Sequence, residues 1–161
     1  MVNLKEKLQK IITKLSESRM TISTMESCTG GALASLITDV SGASLVFKYG
    51  AVTYSNEYKI KMGVSSEVID KYSVYSKETA REMAKAISIF TSSDYGIGIT
   101  GKLGEIDPNN LVGDNNRVFI CIYDRENERY IDIDTYVNSK DRVDDKKEVL
   151  EFIVSKLDSY V

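Results

Sequence analysis

The six residues 26–31 carry the strongest chemical signal in the sequence. They read Glu-Ser-Cys-Thr-Gly-Gly and lie between an alternating segment, residues 20–25, and a run of small and aliphatic helix formers, residues 32–37. This change of pattern predicts a turn from a strand into the N-terminus of a helix. Backbone N–H groups at such a turn suit an anion, so we expect a phosphate cradle or an oxyanion hole beside a hydroxyl group. The alternative is an ordinary helix start whose glycines only permit close packing, because most helix N-termini bind only water.

A second group of hydroxyl and amine side chains surrounds the next predicted strand, residues 45–54. Ser44 precedes this strand, Tyr54 ends it and Lys59 follows shortly after. A lysine whose ammonium form is disfavoured by burial can deprotonate a serine, with a tyrosine hydroxyl as a proton relay. The alternative is that Lys59 and Lys61 are solvated turn lysines and that Tyr54 is an aromatic side chain of a sheet.

The chain contains no histidine. This absence excludes Ser-His-Asp and Cys-His catalysis, zinc sites ligated by histidine and the usual near-neutral general base. Hydrolytic chemistry would therefore depend on lysine, tyrosine, acidic side chains or a bound ion.

Several further patterns are better explained by structure than by function. Residues 96–101 match the G-x-G-x-x-G fingerprint of dinucleotide-binding proteins, but these glycines fall within a predicted strand and no helix follows them. The nucleotide-dependent oxidoreductase that this match suggests is therefore disfavoured. Two acidic pairs, Asp132-x-Asp134 and Asp144-Asp145, resemble metal ligands but fit solvated faces of a strand and a helix, so we expect no metal site.

The composition predicts one α/β domain over residues 1–161, in a cytoplasmic protein. The chain has 42% apolar residues, a net charge of −3 and no stretch long enough to span a membrane, so we expect neither a nucleic acid nor a membrane as partner. The two cysteines are too few for a disulfide framework. Cys28 could be a thiolate nucleophile beside a helix N-terminus, whereas Cys121 is expected in the core.

The order of predicted elements defines the fold class. Apolar periodicity predicts strands at residues 20–25, 45–54, 95–100, 117–123 and 130–137, and helices from residue 4, at 32–37, at 76–91 and after Ser139 or Asp141. The last helix is expected to turn five side chains inward, namely Val143, Val149, Leu150, Ile153 and Leu157. A loop is expected at 101–116. This order predicts a three-layer α/β/α sandwich around a mixed sheet.

Residues 26–31, 38–44 and 54–59, taken together, resemble the CinA C-terminal domain family. The resemblance extends in the same order to residues 76–84 and to Asp141-Arg142, and so covers most of the chain. It implies an α/β/α sandwich that is usually a homo-oligomer. It also implies hydrolysis of the carboxamide of nicotinamide mononucleotide to nicotinic acid mononucleotide and ammonia, with no metal or organic cofactor.

The resemblance also implies the site residues. A catalytic serine, tyrosine and lysine set falls on Ser27 or Ser44, on Tyr54 and on Lys59. Spacing leaves the nucleophile open, and we favour Ser44 with Lys59. The positions expected to contact the nucleotide substrate are Thr29, Gly30 and Gly31, with Thr100 and Arg142 as partners of its phosphate or carboxamide.

The chain departs from the family pattern in the loop at 102–116. The family continues after Thr100-Gly101 with a loop rich in glycine and proline, whereas this chain continues Lys-Leu-Gly-Glu-Ile-Asp-Pro. Acidic side chains at Glu105 and Asp107 would repel a phosphate if they line the pocket. The alternative to an amidohydrolase is therefore a catalytically inactive CinA-like domain that binds a nucleotide or a protein partner.

Overall fold

The computed structural model describes residues 3–104, 111–138 and 141–161. The helices are α1 (Leu4–Glu17), α2 (Ala32–Thr38), α3 (Asn56–Lys61), α4 (Ser66–Tyr72), α5 (Lys77–Thr91) and α6 (Arg142–Tyr160). The strands are β1 (Ile22–Glu26), β2 (Phe47–Val52), β3 (Tyr95–Gly101), β4 (Arg117–Asp124) and β5 (Arg129–Tyr136). Within these ranges no helix is long and apolar enough to cross a membrane.

The five strands form one mixed sheet in the order β2-β1-β3-β4-β5. The central strand β1 is parallel to both neighbours, whereas β3 to β5 form an antiparallel meander. The helices cover both faces of the sheet, which gives the predicted three-layer α/β/α fold. The glycine pattern at 96–101 lies inside β3, as predicted, and the described residues that follow it, 102–104, are not helical.

One face of the sheet is covered by α1, α2 and α6. Apolar side chains at three- and four-residue spacing point inward from these helices, and they include Leu8, Ile11, Ile12, Leu15, Leu33, Ile37, Val149, Ile153 and Leu157. Each large aliphatic side chain of this kind contributes about 1.5–3 kcal/mol when it leaves water. This cluster holds α2 and α6 against the sheet and thereby fixes the segments at their N-termini.

The other face of the sheet is covered by α5, with α3 and α4 beside it. Met25 of β1 packs there against Met83 and Ile87 of α5. Two glycines of β3 allow the helix to approach closely, because a Cβ on Gly98 would overlap the Ala80 carbonyl oxygen. The absence of side chains at these glycines thus lets α5 pack directly on the backbone of β3.

Four sequence predictions about local structure are wrong. Leu45, predicted as the first residue of a strand, instead ends a 3-10 turn (Ala43–Leu45), and β2 begins only at Phe47. Val143 is exposed on α6 rather than turned inward. The expected solvated face at Asp145 is also wrong, because Asp145 is buried in the first turn of α6. Finally, the polar segment after Tyr54 forms α3 and α4, which were not predicted.

Candidate active site

The carboxyl ends of β1 and β2 form a crevice, because the chain leaves these parallel neighbours toward opposite faces of the sheet. After β1 it enters α2, which packs with α1 and α6, and after β2 it enters α3, which leads to α5. Ligands of open α/β sheets bind at this kind of switch point. Ser27 directly follows β1 and Thr53 directly follows β2, so both residues lie at the crevice.

Lys59 reaches into the crevice from α3 as a buried side chain. The helix begins at Ser55, whose Oγ accepts a hydrogen bond from the Tyr58 N–H at 3.2 Å. Only 1% of Lys59 is exposed, and its Nζ donates to Ser27 Oγ at 2.9 Å and to the Thr53 carbonyl at 2.7 Å. A hydroxyl at this distance from a buried amine can exchange a proton with it without any histidine.

The buried carboxylate of Glu26 anchors the turn that carries Ser27. Its Oε1 accepts hydrogen bonds from Thr29 Oγ1 at 2.6 Å and from the Leu33 N–H at 2.9 Å. Its Oε2 accepts from the Ala34 N–H at 3.0 Å. Glycine occupies the N-cap of α2 and offers no side chain, so the strand residue Glu26 caps the helix instead.

Residues 26–31 connect a strand to a helix, as predicted. Gly30 and Gly31 both have positive φ angles, +60° and +98°, which glycine adopts without strain. The Thr29 hydroxyl donates to Glu26 and is therefore not directed to a substrate, which corrects the expectation for this side chain. The backbone N–H groups of Thr29 and Gly31 donate to no acceptor in the described part of the chain.

Cys28 lies next to Ser27 but is unsuited to act as a nucleophile. Cys28 is partly buried, and the loss of solvent around its thiol raises the pKa of that group to about 12. A thiol with this pKa stays protonated at neutral pH. The structure thus argues against Cys28 as a thiolate, whereas Cys121 lies in the core as predicted.

Ser44 does not share the crevice with Lys59, which corrects the preferred nucleophile. It lies in the 3-10 turn before β2, where it is exposed. Because β1 and β2 are parallel, this turn is at the opposite end of the strands from Ser27. Five residues of strand separate the two ends by about 17 Å. In this chain, the serine that contacts Lys59 is Ser27.

Tyr54 also departs from the expected site. It follows Thr53 at the end of β2, but 66% of its surface is exposed. Among the described residues, its hydroxyl makes no hydrogen bond to Ser27 or Lys59. Tyr54 therefore does not relay a proton between these two groups in the single chain.

Thr100 and Arg142, the expected partners of the phosphate or carboxamide, differ in their surroundings. The Thr100 hydroxyl is fully buried and donates to the Val74 carbonyl at 2.9 Å, so its proton is not available to a substrate. Arg142 is exposed at the start of α6, and its guanidinium lies beside Gly104, just after β3. Arg142 is therefore near the carboxyl edge of the sheet, where Thr100 lies below the surface.

Sequence reasoning missed two contributors to the site. Thr53 supplies the carbonyl that holds Lys59, and a backbone group of this kind leaves no signal in the residue type. Glu26 was named only as part of a turn, although a carboxylate directly before a glycine-rich helix start could have indicated a cap supplied by the strand.

The proposed effect of Glu105 and Asp107 falls outside the described residues. Within the described ranges, no three acidic or cysteine side chains are grouped to hold a metal.

A buried serine and lysine pair at the switch point of a mixed sheet defines this site. The comparison with known families agrees with that architecture, because the model of the CinA C-terminal domain matches residues 4–160. The chain therefore belongs to the CinA C-terminal domain family.

Curated relatives of this chain include competence-damage inducible and CinA-like proteins. A competence-damage inducible protein of Caldanaerobacter subterraneus is 48% identical over 101 residues, which is 62% of this chain and 24% of that protein. A CinA-like protein of Endomicrobium trichonymphae is 47% identical over 93 residues, which is 57% of this chain and 22% of that protein. The matches thus span about a quarter of the length of these relatives.

Solved structures share the whole fold. A competence-damaged protein (CinA) superfamily protein from Klebsiella pneumoniae superposes with a TM-score of 0.89, at 22% identity, over 98% of this chain and 97% of that chain. A competence/damage inducible protein from Agrobacterium tumefaciens gives a TM-score of 0.86 at 25% identity, over 98% of this chain and 94% of that chain. The first similarity, at 22% identity, shows the fold alone.

Proposed function

We propose that this domain hydrolyses the carboxamide of nicotinamide mononucleotide, with Ser27 as the nucleophile and Lys59 as the general base. The proposal rests on the 2.9 Å separation between Ser27 Oγ and Lys59 Nζ in a crevice suited to ligands. Membership of the CinA family supports an amidohydrolase as the class of enzyme. Because the sequence contains no histidine, Lys59 is the basic side chain that contacts Ser27.

The reaction proceeds through an acyl-enzyme. Neutral Lys59 accepts the Ser27 proton while Oγ attacks the carboxamide carbon, which gives a tetrahedral oxyanion. The oxyanion collapses as the C–N bond breaks, and Lys59 returns the proton to the nitrogen so that ammonia leaves. Water then attacks the ester with Lys59 again as the base, which releases the carboxylate and restores Ser27. The cycle consumes one water and requires no other reactant.

Two features of the site support this role for Lys59. Burial disfavours the ammonium form of a lysine, and a base must be neutral before it accepts a proton. The Thr53 carbonyl fixes Nζ beside Ser27, so the amine is already oriented when the substrate arrives.

The turn after Ser27 is the proposed oxyanion hole. The backbone N–H groups of Thr29 and Gly31 have no described acceptor, and Glu26 holds this turn rigidly against α2. Donors that are fixed before the reaction stabilise developing charge without reorganisation. Arg142 remains a proposed partner of the substrate phosphate at the same edge of the sheet.

The test is the kinetics of ammonia release by Lys59→Met, Ser27→Ala and the double variant. Each single variant is expected to lose at least about 1,000-fold in kcat, and the double variant to be little worse, because the two residues act as a unit. Lys61→Met is the matched control, since Lys61 is exposed on the same helix, where it pairs with Glu57 at 3.8 Å and lies 4.7 Å from the centre of the Tyr58 ring. Normal turnover by Lys59→Met would exclude this base.

We further propose that the domain forms a homo-oligomer through the edge of β2. Among the strands that the structure describes, β2 pairs with β1 alone, so its other edge is available to a further strand. Exposed apolar side chains adjoin it, namely Tyr49, whose ring centre lies 5.5 Å from that of Phe90, and Val52 and Tyr54 at the end of the strand. A second copy of the same edge would cover both features, as in an isologous interface.

Light scattering after size-exclusion chromatography tests the oligomer. Tyr49→Lys places a charge on the strand edge and should reduce the mass to that of a monomer. Phe152→Lys, at an exposed position beside β5 on the opposite edge of the sheet, should leave the mass unchanged. A monomeric wild-type protein would refute this proposal.

A further inference from the structure

Lys102 is a buried cation that the proposed reaction does not use. It directly follows β3, and only 6% of its surface is exposed. Its Nζ lies 5.7 Å from the centre of the Tyr75 ring, and no acceptor in the described residues takes a hydrogen bond from it. Lysines are rarely this buried without an anionic partner. The surroundings of Lys102 therefore have a place for a negative charge.

The backbone directs Lys102 to the same face of the sheet as Ser27. The Lys102 N–H donates to the Arg117 carbonyl at 3.2 Å, so the extended conformation of β3 continues through this residue. Alternation then places Lys102 on the face of Thr100, the face covered by α5. Ser27 likewise follows Met25, which packs against α5, by two residues.

The register of the sheet gives the distance between the Cα atoms of Ser27 and Lys102. Glu26 of β1 pairs with Ile99 of β3, so Ser27 is level with Thr100 and Lys102 lies two residues further on. With strands about 4.8 Å apart and about 3.3 Å per residue, the Cα atoms of Ser27 and Lys102 are ~8 Å apart. One small ligand can therefore contact both side chains.

We propose that Lys102 binds the phosphate group of the substrate, which makes it a specificity residue of this chain. The inference rests on the proposed deamidation of a nucleotide, in which Ser27 attacks one end of the ligand and an anion occupies the other. The lysine ammonium forms charge-assisted hydrogen bonds with the phosphate oxygens. The Tyr75 ring attracts the Lys102 amine and keeps it in place before the phosphate binds.

The alternative is a lysine that packs its stem on Tyr75 and extends its amine to water. The two explanations differ in what the substrate phosphate contributes. If Lys102 binds the phosphate, its substitution lowers kcat/KM only for substrates that carry the phosphate. If Lys102 only packs on Tyr75, its substitution changes kcat/KM equally for substrates with and without the phosphate.

The experiment compares kcat/KM for nicotinamide mononucleotide and for nicotinamide riboside, which lacks the phosphate. In Lys102→Met, the value for the mononucleotide should fall about 10- to 100-fold, while that for the riboside stays within about twofold. Lys102→Arg should retain most of the preference for the mononucleotide over the riboside, because arginine keeps the positive charge. Lys71→Met is the matched control, because Lys71 lies over Tyr72 at 5.2 Å in an exposed pair of the same type.

Binding supplies a readout that does not depend on turnover. Calorimetric titration with nicotinic acid mononucleotide should show a 10- to 100-fold weaker affinity in Lys102→Met than in the wild type. If the wild type releases no ammonia but Lys102→Met still loses affinity, the proposed function fails and the phosphate site stands. If the wild type is active and Lys102→Met keeps the wild-type substrate ratio and affinity, the inference is overturned. Should Lys102→Met not fold, Lys102→Gln provides the same comparison.

Discussion

Glu26→Gln probes how the buried carboxylate supports the active-site turn. Glutamine can keep the two hydrogen bonds made by Oε1, from Thr29 Oγ1 and the Leu33 N–H. At the place of Oε2, however, an amide NH₂ would face the Ala34 N–H, donor against donor. The loss of one charge-assisted bond and the unsatisfied donor together cost about 3 kcal/mol in the free energy of unfolding. For a domain of this size, that cost lowers Tm by roughly 6–12 °C.

Urea unfolding and thermal unfolding at pH 7, both followed by circular dichroism, measure the free energy change and the Tm shift. Glu57→Gln is the control, because Glu57 is exposed on α3 and its ion pair with Lys61 at 3.8 Å contributes less than about 0.5 kcal/mol. We expect Glu26→Gln also to lose ammonia release, because the turn that holds Ser27 is no longer fixed. A Tm within about 2 °C of the wild type would refute the assigned role of Glu26.

Three further predictions follow from buried polar groups. Thr53→Val should leave the free energy of unfolding unchanged or raise it, because the Thr53 hydroxyl is buried without a partner in the described residues. Thr100→Val should lower it by about 1–2 kcal/mol, because the Thr100 hydroxyl donates to the Val74 carbonyl. Equal effects of the two substitutions in thermal melts would contradict this prediction. Alkylation of Cys28 at pH 8, followed by mass spectrometry, should be on the order of a thousand-fold slower than that of an ordinary thiol, and rapid labelling would contradict the raised pKa. Burial tends to raise the pKa of Asp124, but hydrogen bonds, one of them from the Tyr160 hydroxyl at 2.6 Å, outweigh it and lower the pKa. Tyr160→Phe should therefore lower the free energy of unfolding by about 1–2 kcal/mol at pH 7. The loss should become smaller as the pH falls below about 4, because this stabilisation disappears when the Asp124 carboxylate is protonated. A loss that does not depend on pH would contradict the prediction.

The sequence predicted the layers of the fold well because each layer depends on periodicity. Spacing of three and four residues marked the buried faces of α1 and α5, and alternation marked β4 and β5. The short helices α3 and α4 were not predicted, because their six and seven residues are mostly polar and show no clear apolar face. Caps at Ser55 and Ser65 form these helices, and single cap residues carry little weight in a pattern.

The choice of nucleophile could not be made from the sequence. Ser44 and Ser27 are equally plausible by residue type, and small residues adjoin both of them, at 41–43 and at 28–32. Only the parallel pairing of β1 with β2 shows that one serine lies at the carboxyl edge of the sheet and the other at the opposite edge. Lys59 is then matched to Ser27 because α3 folds back over the end of β2, a contact between residues 32 positions apart.

Ammonia release from nicotinamide mononucleotide, compared between wild type, Ser27→Ala and Ser44→Ala, tests the central claim most directly. The structure places Ser27 Oγ at 2.9 Å from Lys59 Nζ and leaves Ser44 exposed at the far end of the strands. We predict that the wild type and Ser44→Ala release ammonia at similar rates, whereas Ser27→Ala loses at least about 1,000-fold in kcat. Activity retained in Ser27→Ala, or lost in a folded Ser44→Ala, would contradict the assignment. No ammonia from the wild type would instead favour a CinA-like domain that only binds its ligand.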